Sequence, residues 1–284
     1  FCLRTASQRR RKGVEDGTAE AVFQVDIAIV NQYILLETAV PVATITLNRT
    51  ERHNSLIPEL LRQLLDALET VAANSEIRAV VLQANSRSFS TGGDVKAFYE
   101  RIDTLEDYAN LLVGLLNEVL LAMIELPVPI VTAVHGLVTG GSLGLVLASD
   151  IVLIAPSVHF IPYYSVVGFS PDGGWTALLP EIIGRQRAAE ILMTNGTIDA
   201  QTAVDWGIAN RCVTGDQIRA AAHETAQTIA QQKSGTIRRT KRLLRPSHEK
   251  LINQLEAERT QFVRQIITEE ARAGMAAFLG IGET

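Results

Sequence analysis

Ala133 to Trp175 reads AVHGLVTGGSLGLVLASDIVLIAPSVHFIPYYSVVGFSPDGGW, and the interpretation of the whole chain turns on this stretch. It passes from a glycine turn at Gly140-Gly141 into an apolar segment too short to cross a membrane. A β-like run follows, and then a loop that sets one acid, Asp172, beside Gly173 and Gly174. Glycine permits a backbone approach that a Cβ would block, and the first N–H groups of a helix have no internal partner. Gly141 N–H can therefore point at a ligand oxygen, although paired glycines serve equally as a close helix-packing turn.

A second turn of the same kind lies upstream. Val80-Val81-Leu82 has the pattern of a short buried strand, and it leads to Phe89-Ser90-Thr91-Gly92-Gly93-Asp94-Val95-Lys96, again strand, glycine turn and helix. Two such turns can place two backbone N–H groups on one carbonyl oxygen. That arrangement is an oxyanion hole, which stabilises charge developing on a thioester.

On these residues, together with Ala43-Thr44-Ile45-Thr46-Leu47-Asn48-Arg49 and His53-Asn54-Ser55-Leu56, the chain resembles the enoyl-CoA hydratase/isomerase, or crotonase, superfamily from about Val40 to the C-terminus. The resemblance implies an α/β fold, a crotonase-like ββα superhelix with a C-terminal helical region. It also implies an acyl-CoA thioester substrate, with coenzyme A as part of the substrate and no separate cofactor or metal. Gly93 and Gly141 are implied as the oxyanion donors. Hydratases of the family use two glutamates, whose positions here fall on Gly144 and Tyr164, so water addition by that route is disfavoured.

Asp172 is the acid that stays. In the resemblance its place in the loop is where several relatives carry a working acid, including some Δ3,Δ2-enoyl-CoA isomerases; by turn chemistry alone, Pro-Asp-Gly-Gly is a turn whose Asp caps the next helix. A single carboxylate suits an isomerase that moves a proton from C2 to C4 of a 3-enoyl-CoA. Phe169, Trp175, Tyr163 and Tyr164 are candidates to give it an apolar setting that raises its basicity.

The substrate-facing set comprises Asn54, Thr91, Asp94, Tyr164, Trp175 and Lys241. Asn54 belongs to the polar loop from Asn48 to Ser55, which in the family lies beside the CoA, while His53 and Asn54 by themselves read as a turn satisfying its own backbone. Lys241 belongs to a basic group with Lys233, Arg238, Arg239, Arg242 and Arg245. Most of that group reads as a solvated helix face, and the resemblance brings Lys241 or a neighbour near the CoA phosphates.

The remainder frames this site. The 284 residues, 47% of them hydrophobic, suffice for one large domain with a helical appendage, and a net charge of −5 argues against a general nucleic-acid binder. No membrane span is read. Cys2 and Cys212 make neither a disulfide framework nor a zinc site, which suggests a reducing, cytoplasmic compartment, with Cys212 a small buried residue. Residues 1–30, with a basic run at Arg9, Arg10, Arg11 and Lys12, read as a transit-peptide-like or non-native extension without assigned function.

Residues 31–215 form the core. Strands are expected at Tyr33 to Glu37 and Val42 to Leu47, a helix opening at Pro58, and a longer helix from Asp103 that ends at Pro127. His135 is read as scaffold, and Asp199 as a helix-terminal acid. Residues 216–284 are read as three helical segments, the last from Leu251 to Leu279, and in relatives this region packs between subunits. A homotrimer or homohexamer is the implied assembly. Two rival functions are a thioester hydrolase like those acting on 3-hydroxyisobutyryl-CoA and a non-catalytic acyl-CoA-binding homologue.

Overall fold

The structure is a computed structural model that describes residues 33–281; the extension expected over residues 1–30 lies outside the described residues. The chain opens with a hairpin of β1 (Ile34–Ala39) and β2 (Val42–Leu47), registered so that Ile34 faces Leu47 and Ala39 faces Val42. Parallel strands β3 (Ala79–Ala84) and β4 (Ile130–Val134) follow, with α1 (Pro58–Ala73), the short α2 (Val95–Tyr99) and α3 (Leu105–Glu125) in the connections.

Pro58 stands in the first turn of α1, where its missing N–H costs nothing, and Leu60, Leu61, Leu64, Leu68 and Val71 form the buried stripe. The helix α3 is long and apolar enough to cross a membrane on length and composition. It nevertheless packs against α1 and buries Leu112, Leu116, Val119, Leu120 and Met123 in the core. Leu111 of the same helix is exposed.

After β4 the chain forms β5 (Leu137–Thr139), a 3₁₀ turn at Gly140–Ser142, α4 (Leu143–Leu147), β6 (Ile151–Ile154) and β7 (His159–Ile161). Short helices α5 (Tyr164–Val167) and α6 (Leu179–Ile183) flank the Asp172 loop, and α7 (Arg185–Thr194), β8 (Ile198–Asp199), α8 (Ala200–Asp205) and β9 (Arg211–Cys212) complete the core. The main sheet runs β1-β2-β3-β4-β6-β9, antiparallel only at the first pair; β5, β7 and β8 form a second, small sheet.

Alternation along the central strands loads both faces of the main sheet. Val80 and Leu82 point into the large core beneath α1 and α3, whereas Ala79, Val81, Val131 and Ala133 face the small side chains Ala222, Ala226 and Ala230 of α9 (Ile218–Ala230). Asp199 accepts from Thr202 N–H at 2.8 Å and caps α8, as expected of a helix-terminal acid.

The C-terminal region continues as α10 (Ser234–Leu244), α11 (His248–Ile266) and α12 (Glu269–Phe278). The single last helix expected from Leu251 to Leu279 is thus two, divided at Thr268, whose side chain caps α12 through Ala271 N–H at 3.3 Å. The break turns α12 back onto α5 and α2 of its own chain. Cys212, expected to be buried, is exposed because β9 is a two-residue edge strand with neither side chain covered.

Candidate active site

Two glycine turns meet at the end of the parallel strands. A single bridge between Ser90 and Val138 joins the segments, and Ser142 Oγ ties them again by donating to Ser90 O and Thr139 O at 3.0 and 2.7 Å. In the first turn, Leu56 N–H donates to Gly92 O and Asp94 N–H donates to Leu56 O. The intervening Gly93 N–H is left out of that pairing. In the second turn, Gly141 opens a helix, where no preceding turn supplies an acceptor. Both glycines line one cavity of about 470 Å³ together with Thr91, Asp94, Tyr164 and Asp172.

Asp172 reaches this cavity through the loop after α5. Its carboxylate is packed so closely on the second turn that a Cβ on Gly141 would stand 2.9 Å from both carboxylate oxygens and 2.8 Å from Leu116 Cδ2. Any side chain there would have to push Leu116 or the carboxylate aside. Tyr164 donates its hydroxyl to Asp172 Oδ1 at 2.6 Å and shares it with Asp172 O at 3.0 Å.

Burial pushes the Asp172 carboxyl up to about 7; the Tyr164 hydrogen bond pulls the other way, and the charge of Glu258 adds to the rise. Burial and the facing carboxylate hold the Tyr164 phenol well above its ordinary value, so it stays a donor at all working pH values. The rest of the wall is apolar and aromatic. Phe98, Phe169 and Phe262 pack edge-on or tilted at 5.4 to 5.9 Å between centroids beside Leu112 and Leu116.

Gly144 lies one helical turn beyond Gly141. A Cβ there would come within 2.4 Å of Gly173 O and 2.9 Å of Leu120 Cδ1, so the Asp172 loop fills the space that a longer side chain would need.

Asp94 sits in the cavity wall with its carboxylate already engaged. Arg49 and Arg52 bind it at 2.9 and 2.8 Å, and it also accepts from Ala97 N–H to cap α2. Burial alone would raise this carboxyl, but hydrogen bonds and charge from the two arginines outweigh it and hold the group below the usual carboxylate range. Asp94 thus fixes the turn that carries Gly93. Thr91 borders the cavity with its hydroxyl 3.4 Å from His53 O.

Three residues read as substrate-facing are buried and do not line this cavity. Asn54 is fully buried, and its amide donates to Asn85 O, Ser88 O and Phe89 O, holding together the strand ends behind the first turn. Trp175 is also fully buried, with its indole N–H on Gly140 O at 2.7 Å, so it braces the second turn from behind. Lys241 points into the protein, where its ammonium binds Asp150 at 2.7 Å and the Met123 and Val128 carbonyls at 3.1 Å. It anchors α10 and leaves no donor for a phosphate. His135 is scaffold as expected, bonded to Ser86 O at 2.8 Å.

Sequence reasoning missed Glu258 of α11. This buried carboxylate accepts four hydrogen bonds from the loop just after Asp172. Among the apolar positions of α11 it reads as one more charge of a solvated face.

Comparison with known proteins finds relatives over most of the chain. The family model described as Enoyl-CoA hydratase/isomerase matches residues 37–283. A 1,2-epoxyphenylacetyl-CoA isomerase of Escherichia coli is 29% identical over 250 residues, 87% of this chain and 95% of that protein. A Mycobacterium tuberculosis protein named "Probable enoyl-CoA hydratase EchA12" is 35% identical over 217 residues, 74% of this chain and 76% of its own length. Among solved structures, an enoyl-CoA hydratase/isomerase from Mycobacterium paratuberculosis superposes with a TM-score of 0.81 at 27% identity, covering 87% of this chain and 98% of that one.

Proposed function

The chain belongs to the enoyl-CoA hydratase/isomerase family of acyl-CoA-processing enzymes, and on that premise we propose that it is a Δ3,Δ2-enoyl-CoA isomerase with Asp172 as its one base. The observation that carries this reading is the pairing of a single raised carboxylate with a blocked second position. Asp172 stands in the cavity with a proton affinity near neutrality, while Gly173 O occupies the space beside Gly144 where another acid would have to stand. A base near pH 7 is matched to abstracting a proton from carbon beside a thioester.

In this reading the thioester carbonyl lies on the Gly93 and Gly141 N–H groups. Asp172 takes the proton from C2, the electron pair moves onto the carbonyl oxygen as a dienolate, and the two N–H groups stabilise that charge. Each such donor is worth about 2.7–4 kcal/mol in other enzymes. The protonated Asp172 then returns the proton to C4, leaving the conjugated 2-enoyl-CoA and an unchanged enzyme. No proton donor, cofactor or water is consumed. Tyr164 keeps one carboxylate oxygen occupied, so that the other faces the substrate, and the apolar wall of Phe98, Phe169 and Phe262 receives the acyl chain.

Turnover of a 3-enoyl-CoA in deuterated water tests this. One base carrying the same proton from C2 to C4 gives a product with less than full solvent deuterium at C4. Full deuterium at C4 would indicate separate donor and acceptor groups. No turnover of any 3-enoyl-CoA, with free thiol released from 3-hydroxyacyl-CoA, would favour hydrolysis with Asp172 activating water.

A further inference from the structure

Glu258 lies on α11, yet every hydrogen bond that it accepts comes from the loop after Asp172. Oε2 accepts from Gly174 N–H at 2.8 Å; Oε1 accepts from Thr176 N–H at 2.7 Å, Thr176 Oγ–H at 2.7 Å and Ala177 N–H at 2.9 Å. The side chain is 4% exposed, and among the described residues no cation pairs with it. Burying a carboxylate in this way is unfavourable unless its lone pairs are filled. An apolar side chain between Leu255 and Phe262 would suit the buried face of the helix better. What the glutamate adds is a set of acceptors for N–H groups that the turn leaves without backbone partners.

That turn is the far side of the Asp172 loop. Gly173 rests on the backbone of Gly141, where a Cβ on Gly173 would stand 2.5 Å from Gly141 Cα, and Gly174 is the first residue that Glu258 holds. We propose that Glu258 is the positioning residue of this site: it clamps residues 174–177 so that the Asp172 carboxylate stays pressed between Gly141 and the Tyr164 hydroxyl. The assignment rests on reading Asp172 as the base.

The clamp has an electrostatic side that a structural tether would lack. The titratable groups facing Asp172 are Tyr164 from α5 and Glu258 from α11, while the turn before α4 presents Gly141 and α3 packs Leu116 beside it. Tyr164 lowers the proton affinity of Asp172 through its hydrogen bond, and the charge of Glu258 raises it.

The test is Glu258→Gln, which keeps the shape and one oxygen, removes the charge and turns an NH₂ towards one N–H donor. The Asp172 carboxyl is titrated by NMR in wild type and variant labelled with ¹³Cγ-aspartate, and kcat and KM are measured beside it. The Asp172 midpoint should fall below that of wild type, because the charge that raises it is gone. A displaced base should also lower kcat by roughly ten- to a hundredfold with KM within about twofold. A variant that melts earlier but keeps the wild-type midpoint and kcat overturns the proposal.

If Glu258→Gln does not fold, Thr176→Val removes only the hydroxyl donor. Faster amide exchange at Gly174 and Ala177 with a lowered kcat is then expected, and unchanged kcat overturns the proposal. Because neither the titration nor amide exchange needs a substrate, a shifted midpoint with faster exchange at Gly174 and Ala177 in a protein that isomerises nothing would uphold Glu258 and reject the isomerase.

Discussion

The Tyr164 hydroxyl lies 2.6 Å from Asp172 Oδ1, both groups buried, with only the carboxyl near its titration midpoint at neutral pH. The pair works as a fixed donor beside an adjustable base. Replacing the donor should therefore alter both the orientation of the base and the pH at which it works.

Tyr164→Phe removes the hydrogen bond that holds the Asp172 carboxyl down, so its proton affinity rises further. The acid limb of the kcat/KM profile should move to higher pH than in wild type. Activity at pH 7 should fall by roughly tenfold or more and recover partly under alkaline conditions. A profile that keeps its midpoint would show that the 2.6 Å contact is silent in catalysis.

Stability should carry the mark of the same group, with a sign opposite to that of an ordinary salt-bridged acid. Between the unfolded value near 3.8 and the folded value of about 7, the native state holds a proton that the unfolded chain has released. Stability therefore falls as pH rises through that window, by up to about 1.4 kcal/mol for each unit of difference. Asp172→Asn is free of this cost. Its Tm advantage over wild type should be small near pH 4 and grow until about pH 7, which thermal melts at a series of pH values will read.

Lys241 is predicted to matter for folding and not for substrate. Lys241→Met leaves Asp150 without its buried cation and frees the Met123 and Val128 carbonyls. A loss of about 1–3 kcal/mol in urea unfolding is expected, because the buried carbonyls lose their donor while Asp150 keeps its access to solvent. The KM for an acyl-CoA should be unchanged under conditions where the variant is folded; a large rise in KM would return Lys241 to the phosphate-binding group.

Gly141→Ala should cost activity out of proportion to its size. The new methyl would meet Leu116 Cδ2 and both oxygens of Asp172 within 3 Å, displacing the base and the oxyanion turn together. A fall of about 10²–10³ in kcat is expected for loss of one donor alone. Wild-type kcat in a folded variant would remove Gly141 from the mechanism.

Much of this site was legible in the sequence because its parts are local. Glycine turns between a strand and a helix announce themselves by spacing, and Asp172 beside Gly173-Gly174 marks a loop that presents an acid. What was not legible depends on which way a side chain points after the chain has turned. Tyr163 takes a left-handed conformation, with φ of 61°, and starts α5 so that Tyr164 swings towards Asp172. In the sequence this tyrosine reads as a substrate-facing aromatic at the place of a family glutamate, not as the hydrogen-bond donor to Asp172.

Trp175, three residues from Asp172, looked like pocket wall, but its indole runs under the second turn to Gly140 O. Lys241 sits in a run of exposed and half-buried cations, and only the rotation of α10 sends it inward to Asp150. Glu258 is separated from its partners by more than 80 residues of chain. No periodicity distinguishes such a glutamate from a solvated one, because the pattern on α11 shows which residues are polar but not what stands opposite them.

The most direct measurement is the rise in conjugated-thioester absorbance when a panel of 3-enoyl-CoA substrates is offered to wild type and to Asp172→Asn. Conversion by wild type, with at least a 10²-fold loss in a variant that folds and still binds the acyl-CoA, is the predicted result. Equal rates in the two proteins would contradict the account, since no other acid among the described residues that line the cavity touches Gly141.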